Sequence, residues 1–352
     1  MNSFFIGTLR KLHKFYFKKI SYVSRFQYGR FIQSLNWGWI IAANLASPGR
    51  SYTRIKYSRY NLPWRSVARP KSHLDFTISA NDSVCCKKAV GLLRSYGVVI
   101  VSDVFNAEKI TTLRKEYELE KFVKNSEVPS NSYYISEPLP LKDICVDFWL
   151  NSLIMKIMTN YTNGNLYARN YPYLFYTNPK NGISSKASHD GQEYGSIAFQ
   201  WHLDHSTIIQ PAVFLEDQED DQGTCMQVLP GTHMLLSPAF GLLSDESAIN
   251  SKYKPISCLG KAGSVLIHCG NIYHRCRPMP NKPRLEIKFE FTSGPNILFD
   301  LKSISKSLSS GYDLDSLSDE KRRVLGGIYP ISRFKGYDYD GYNLTPTKFK
   351  GV

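Results

Sequence analysis

Three side chains of the sequence form a pattern that could hold a redox metal. His202 and Asp204 lie two residues apart in SIAFQWHLD (residues 196–204), where alternating apolar and polar residues predict a β-strand with both side chains on one face. A second histidine, His274, follows about 70 residues later. Two imidazoles and one carboxylate bind Fe(II) in oxygenases and leave coordination positions open. We therefore predict that His202, Asp204 and His274 are metal ligands and catalytic residues.

An arginine suits the open side of such a site. The apolar segment at residues 265–268 predicts a strand that leads through a Gly-Asn turn to His274. Arg284 comes ten residues after His274 and begins a second alternating segment, RLEIKFEF. The open positions on Fe(II) can take a bidentate 2-oxo acid and O2, and a planar guanidinium grips a distal carboxylate. Glu286 shares the face of Arg284 by alternation and could compete for that guanidinium.

The elements that would position these residues occur in the order helices, then strands. Helical periodicity and capping residues predict helices at residues 84–96, 107–122 and 141–158, and another at 318–325. From about residue 167 to 295, short apolar segments separated by Gly, Pro and Asn turns are typical of strands. This order predicts an α+β protein with a mainly β core, in which a barrel or sandwich is braced by helices.

These segments resemble the phytanoyl-CoA dioxygenase (PhyH) family of Fe(II)/2-oxoglutarate-dependent oxygenases over roughly residues 92–295. The resemblance rests on the motifs LLRSYGVVIVSDVFNAEKITTLR, QWHLDH, MQVLPGTH and HRCRPMPNKPR. It implies a double-stranded β-helix, which is a cupin-like jelly-roll barrel with the metal at its mouth.

The resemblance also implies roles for particular residues. His202, Asp204 and His274 would be the iron ligands, and Arg284 the 2-oxoglutarate anchor. Cys276 stands where relatives often carry a Ser or Thr that helps to hold the cosubstrate. The implied cofactors are Fe(II), 2-oxoglutarate and O2, with release of succinate and CO2. Because halogenating relatives replace the ligand carboxylate with a small residue, Asp204 favours hydroxylation of an unactivated C–H bond in a small-molecule or acyl-type substrate.

Other side chains near these motifs are candidates for the pocket. Tyr176 is a candidate for binding 2-oxoglutarate. Four further residues are candidates for contact with substrate or for support of the metal ligands: Gln200, His233, Tyr171 and Tyr173. The tyrosines also suit a hydrophobic core, and His233 also suits a turn. His205 and His268 are assigned structural roles, because His205 points away from the face of His202 and His268 lies inside an apolar segment.

The net charge of +14 is concentrated near the N-terminus. Residues 1–74 carry 14 Lys and Arg, interleaved aromatic residues and no Asp or Glu, whereas residues 75–352 carry 30 basic and 30 acidic residues. We expect a basic, aromatic-rich arm at 1–74, an oxygenase domain at 75–300, and a C-terminal helix and tail at 301–352 that packs on the barrel. Such an arm suits an anionic membrane surface, and nucleic acid is the less favoured partner.

Composition also bears on location. No apolar run reaches the roughly 18 residues that a membrane-spanning helix needs. The seven cysteines show neither a disulfide framework nor zinc-site spacing, which indicates a reducing compartment. We expect a cytoplasmic protein with peripheral membrane contact through the arm. The sequence indicates no oligomeric state.

Two alternatives fit the same residues. In the first, the barrel is a metal-dependent cupin enzyme that does not use 2-oxoglutarate, and Arg284 binds an acid group of the substrate. In the second, the barrel is catalytically inactive and is a binding module tethered by the arm to a membrane or polyanion. Iron binding without succinate release would indicate the first alternative, and the lack of specific iron affinity would indicate the second.

Overall fold

The helices and strands of the protein are seen in a computed structural model over most of residues 70–324. The described residues are 70–125, 134–162, 166–169, 171–177, 201–204, 208–220, 223, 225–234, 241–242, 254–277, 282–292, 311–313, 316–324, 338–339 and 346–347. Nearly all of the basic arm lies outside the described residues, and so do the candidate residue Gln200 and His205, to which the sequence assigned a structural role.

The first helix forms because its apolar residues fall on one stripe. Helix α1 (Cys85–Tyr96) buries Ala89 and Leu93 on the same face. It ends at Gly97, which takes a left-handed φ of 78° and donates its N–H to the carbonyl oxygen of Leu93. The helix predicted at 84–96 is therefore confirmed.

The segment at 107–122 forms two helices, α2 (Ala107–Glu116) and α3 (Leu119–Asn125). Asn106 begins α2 as predicted, because its side chain accepts a hydrogen bond from the N–H of the third helical residue. The prediction of one continuous helix was wrong. Glu118 adopts a positive φ of 47°, and this backbone conformation cannot continue an α-helix.

The segment at 141–158 is divided in the same way into α4 (Asp143–Trp149) and α5 (Ser152–Tyr161). Asn151 leaves the helical conformation, and its side chain accepts hydrogen bonds from two N–H groups at the start of α5. A capping residue therefore separates two helices where apolar periodicity predicted a single one.

Strands occupy most of the remaining described chain. In chain order they are β1 (Thr77–Ser79), β2 (Val98–Ser102), β3 (Tyr134–Pro138), β4 (Tyr167–Ala168), β5 (Tyr173–Thr177), β6 (His202–Leu203), β7 (Ile208–Phe214), β8 (Met226–Val228), β9 (Gly241–Leu242), β10 (Ile256–Ser257), β11 (Val265–Cys269), β12 (His274–Cys276), β13 (Arg284–Lys288), β14 (Phe291–Thr292), β15 (Asp338–Tyr339) and β16 (Pro346–Thr347).

Two sheets carry the site. The larger sheet has nine strands in the described residues, in the order β1-β2-β11-β7-β13-β5-β3, with β14 paired to β7 and β4 paired to β14. The smaller sheet has the order β10-β8-β12-β6-β9. Pairing is antiparallel throughout these two sheets except between β1 and β2.

The apolar residues form two cores, one on each face of the larger sheet. The first lies between this sheet and the helices and includes Leu93, Trp149 and Ile287. The second lies between the two sheets, and its buried members come from both sheets and from adjoining segments: Phe76, Val98, Ile100, Phe214, Met226, Val228, Ile256, Cys258, Leu266 and Ile272. The α+β class with a mainly β, jelly-roll type core is confirmed, although neither sheet closes on itself in the described residues.

A short C-terminal helix packs on the same domain. Helix α6 (Asp319–Val324) lies within the segment predicted at 318–325. Leu317 and Val324 are buried in the core on the helix side of the larger sheet. Across the part of the chain that the structure describes, no helix is both long and apolar enough to cross a bilayer.

We expect two glycines near α1 to respond in opposite directions to alanine. At Gly97, the left-handed backbone and a Cβ position 2.6 Å from the His233 ring oppose a side chain. Gly97→Ala should lower the free energy of unfolding by about 1–3 kcal/mol. At Gly91 nothing described outside the helix backbone lies within 4 Å of the Cβ position. Gly91→Ala should therefore raise the free energy of unfolding by up to about 1 kcal/mol, because alanine favours the helix more than glycine does. Urea unfolding would check both, and a loss of stability at Gly91 would contradict this account.

Candidate active site

His202 and His274 are brought together by antiparallel pairing of β6 with β12. The two residues are direct partners in the register, so their side chains lie on one face of the smaller sheet. Their ring centroids are 4.2 Å apart. On its other edge β12 pairs with β8, where Val228 is opposite His274. Because Val228 belongs to the core between the sheets, both imidazoles face the larger sheet.

Asp204 completes a cluster of three metal-ligand donors. Its Oδ2 atom is 3.4 Å from Nε2 of His274. One donor atom from each of His202, Asp204 and His274 lies within 4.8 Å of the other two. His274 is buried, whereas the side chain of Asp204 is 24% exposed. The cluster therefore lies at an accessible end of the space between the sheets.

A hydrogen bond orients the His274 ring for metal binding. Nδ1 of His274 lies 3.0 Å from the carbonyl oxygen of Ile272. Because a carbonyl oxygen can only accept, Nδ1 carries the proton and donates it, and Nε2 keeps its lone pair. Nε2 is the atom that faces Asp204, so the ring directs its lone pair to the centre of the cluster.

Burial and neighbouring groups set the ionisation states that a metal requires. Burial lowers the pKa of His274 well below its ordinary value, and the adjacent His202 lowers it further. Burial alone would raise the pKa of Asp204, but the imidazoles of His274, His202 and His268 hold it below its ordinary value. A neutral imidazole and an ionised carboxylate are the forms that bind a divalent cation.

Arg284 reaches from β13 of the larger sheet to the smaller sheet. It is 1% exposed, and its Nη2 atom donates to Sγ of Cys276 at 3.2 Å. Cys276 lies two residues after His274 on β12 and therefore shares its face. Nε and Nη1 of Arg284 have no hydrogen-bond partner in the described chain. Two buried donors of one guanidinium suit the carboxylate of a ligand.

Two more charged residues of β13 share the face of Arg284, as alternation predicted for the first of them. Glu286 is 0% exposed, and the side chain of Lys288 is 22% exposed. Oε1 of Glu286 is 3.6 Å from Nη2 of Arg284 and 3.3 Å from Nζ of Lys288. The same Nζ lies 3.6 Å from the centroid of the Phe175 ring. A buried carboxylate thus lies between two cations.

The register of β5 against β13 corrects the prediction that Tyr176 binds 2-oxoglutarate. Tyr176 is opposite Leu285, so it faces the helix side of the larger sheet, where its ring contacts Phe122 of α3. Three β5 residues lie on the face of Arg284: Tyr173, Phe175 and Thr177. Sequence reasoning missed Phe175 and Thr177, because strand alternation shows which residues share a face but does not show which face meets the site.

The other two candidate tyrosines occupy different environments. Arg284, Glu286 and Lys288 form a charged row on one face of β13. Tyr173 is opposite Lys288 and therefore lies on the same face as this row. Tyr171 is buried in the core on the helix side, and its ring centroid is 5.4 Å from that of Trp149. The structure therefore assigns Tyr171 to the core, which corrects its prediction as a substrate or ligand-support residue.

His233 packs at the end of α1. Its Nε2 atom donates to the carbonyl oxygen of Arg94 at 3.2 Å, and its own carbonyl oxygen accepts from the Asn271 side chain at 2.9 Å. The ring fills the space next to Gly97. Of the roles considered for His233, these contacts favour a turn residue that supports the segment leading to His274.

His268 is a pocket residue that sequence reasoning treated as structural. It is buried, and its ring centroid is 4.7 Å from that of His274. Burial lowers its pKa to about 4. His268 shares a face of β11 with Leu266, which belongs to the core between the sheets. The alternation of Leu266 and His268 was the signal that could have identified it.

The residues present fit an Fe(II) ion with a 2-oxo acid. Two imidazole nitrogens and one carboxylate oxygen converge on one point, which is the donor set of non-haem Fe(II) oxygenases. On the facing sheet, Arg284 has donors for a second carboxylate that no described residue accepts from.

Comparison with known families agrees with this chemistry. The phytanoyl-CoA dioxygenase (PhyH) family matches residues 93–284, which is more than half of the chain. The chain therefore belongs to the phytanoyl-CoA dioxygenase family, as the sequence motifs predicted. It is an enzyme of the Fe(II)/2-oxoglutarate-dependent oxygenase superfamily, and its cofactors are Fe(II), 2-oxoglutarate and O2.

The chain also resembles solved structures at low sequence identity. The alpha ketoglutarate dependent epimerase SnoN from nogalamycin biosynthesis is 14% identical, with a TM-score of 0.42 over 60% of this chain and 84% of SnoN. HygX from Streptomyces hygroscopicus, with nickel and 2-oxoglutarate bound, is 14% identical, with a TM-score of 0.43 over 58% and 86%. EctD from S. alaskensis, with 2-oxoglutarate and 5-hydroxyectoine, is 14% identical, with a TM-score of 0.41 over 69% and 88%. No curated protein matches the chain significantly.

We expect His233 to reduce stability at acidic pH. Burial lowers its pKa from 6.5 to about 4. Below pH 6.5 the unfolded chain therefore takes up a proton that the folded protein takes up only near pH 4. Between these values the free energy of unfolding should fall by up to about 3 kcal/mol on account of this group.

Urea unfolding at several pH values would measure this effect. His233→Gln keeps a donor for the Arg94 carbonyl oxygen but does not titrate, so it should have a flatter pH dependence than the wild type. The same pH dependence in both proteins would show that another group is responsible.

Proposed function

We propose that the protein is a dioxygenase that hydroxylates an unactivated C–H bond of a small-molecule or acyl-type substrate. In this proposal His202, Asp204 and His274 bind Fe(II), and Arg284 binds the distal carboxylate of 2-oxoglutarate. The observation that carries it is the convergence of three ligand atoms within 4.8 Å. Opposite them lies a strand with the buried guanidinium of Arg284, whose Nε and Nη1 have no hydrogen-bond partner among the residues that the structure describes.

Each residue has a defined task in this reaction. The carbonyl oxygen of Ile272 holds the His274 ring with Nε2 toward the metal position. Asp204 supplies negative charge and, with the histidines, leaves positions open for ligands. Arg284 fixes the cosubstrate at its distal end and so orients the 2-oxo acid group. When bound, Fe(II) with 2-oxoglutarate and O2 supplies the oxidant for C–H cleavage, with release of succinate and CO2.

Asp204 supports hydroxylation over halogenation. The resemblance implies that halogenating relatives make room for a halide ion with a small residue at this position. Here a carboxylate is present, and its Oδ2 atom lies 3.4 Å from Nε2 of His274. The coordination position that a halide would need is therefore taken by the protein.

An anaerobic titration of the apoprotein with Fe(II) and then 2-oxoglutarate tests the ligand assignments. The wild type should give a visible charge-transfer band. In halide-free buffer, Asp204→Ala should weaken Fe(II) binding and so reduce the band, because two imidazoles lack the charged donor of the site. Arg284→Ala should weaken 2-oxoglutarate binding about thirtyfold or more, the usual effect of truncating one partner of a buried charge pair. Asp319→Ala and Arg322→Ala, at an ion pair on helix α6, are the matched controls and should behave as the wild type.

The outcome separates the proposed function from its alternatives. Iron binding without a band would favour a metal-dependent cupin enzyme that does not use 2-oxoglutarate. The lack of specific iron binding would favour an inactive binding module. When the band forms, a product that has gained one oxygen atom establishes hydroxylation, whereas a product without added oxygen indicates a different oxidation.

We propose in addition that residues 1–74 form an arm that contacts an anionic membrane surface, while 75–300 form the oxygenase domain and 301–352 pack on it. The support is the charge distribution, because these 74 residues hold 14 basic residues and no acidic ones. Basic residues near anionic lipid contribute about 1 kcal/mol each at low ionic strength.

Cosedimentation of the full-length protein with phosphatidylserine-containing vesicles tests the arm. Binding should fall as salt is raised, because the attraction is screened. Lys18→Glu with Lys19→Glu should weaken it about tenfold or more. The control is an adjacent pair on α1, Lys87→Glu with Lys88→Glu, which should have a smaller effect. Equal effects of the two pairs would assign the attraction to net charge instead of the arm.

A further inference from the structure

The charged row of β13 leaves buried polar atoms without partners. Nε and Nη1 of Arg284 and both carboxylate oxygens of Glu286 are buried, and none has a hydrogen-bond partner among the described residues. The closest nitrogen atoms of Arg284 and Lys288 are 3.6 Å and 3.3 Å from Oε1 of Glu286. Buried charges that bond poorly to one another are costly to the fold. A role in ligand binding explains why the chain tolerates them.

The row runs from the metal end of the pocket to the anchor end. Lys288 marks the metal end: it is opposite Ala212 of β7, which is opposite Leu266 of β11. The next residue on that face of β11 is His268, whose ring centroid is 4.7 Å from that of His274. Arg284 marks the other end, where it bonds to Cys276. Successive residues on one face of a strand are about 6.6 Å apart. A five-carbon dicarboxylate that reaches from the metal to Arg284 therefore passes alongside Glu286.

We infer that Glu286 is a specificity-determining residue that sets the affinity for the cosubstrate. Its carboxylate competes with the distal carboxylate of 2-oxoglutarate for Arg284 and repels that second acid group. Lys288 limits the competition, because it attracts Glu286 toward the metal end of the row. Glu286 thus makes 2-oxoglutarate bind more weakly than Arg284 alone would allow. The inference rests on the proposed function, since it requires 2-oxoglutarate to bind against Arg284.

The test compares dissociation constants for two 2-oxo acids. Isothermal titration calorimetry would use the full-length protein loaded with Mn(II), so that binding is measured without turnover. The probes are 2-oxoglutarate and 2-oxovalerate, which has the same five-carbon chain but a methyl group in place of the distal carboxylate. Glu286→Gln should tighten 2-oxoglutarate binding about tenfold or more, because it removes a like charge from a buried site. It should change 2-oxovalerate binding less than about threefold, since that probe lacks the second charge.

Glu290→Gln is the matched control. Glu290 continues the same face of the chain beyond β13 and is paired with Arg169 at 2.9 Å, so the substitution removes the same charge farther from Arg284. It should change 2-oxoglutarate binding less than about threefold. An equal gain in both variants would overturn the inference, because a general change in charge would then explain it. No gain in Glu286→Gln would overturn it directly.

The wild type provides an independent measurement if Glu286→Gln fails to fold. Its affinities for the two probes should differ by less than about thirtyfold, because an unopposed buried Arg–carboxylate pair contributes at least that much. A larger ratio would overturn the inference. If neither probe binds the wild type and Arg284→Ala changes nothing, the proposed function fails. If Arg284→Ala weakens 2-oxoglutarate binding but Glu286→Gln has no effect, only the inference about Glu286 fails.

Discussion

The antiparallel pairing of β6 with β12 is the constraint on which the candidate active site depends. It makes His202 and His274 direct register partners although they are far apart in the chain. Neighbouring strands lie about 4.8 Å apart, a spacing that lets two imidazoles and the Asp204 carboxylate converge on one ion. Pairing of β12 with β8 fixes the same register from the other edge. A shift of one residue would turn His274 away from the interior and remove the donor cluster.

The space between the sheets is divided by polarity. Most of it is filled by aliphatic and aromatic side chains from both sheets, of which Leu266 and Val228 are examples. The remainder holds the charged row of β13, which begins with Arg284 and Glu286. Exclusion of water strengthens every electrostatic interaction there and makes each unpartnered group costly. A charged ligand that paired with these groups would therefore bind strongly.

The helical layer is connected to the candidate site through the backbone of the larger sheet. Helix α1 ends at Gly97, whose carbonyl oxygen accepts the N–H of Cys269 at the end of β11. His233 packs beside the same glycine and bonds to Asn271, three residues before His274. Together these contacts hold the turn between β11 and β12. The packing of α1 thus helps to fix the turn after which β12 begins at His274.

The sequence by itself determined the family, the order of helices before strands, and which side chains share a face within one strand. His202 and Asp204 could be assigned to one face because the two-residue period of a strand is a local property. Only the tertiary structure decided that Phe175 faces Arg284 while Tyr176 faces the helices, and that His268 lies beside the donor cluster. These outcomes depend on register between strands that are distant in the chain, and a shift of one residue would reverse every side chain.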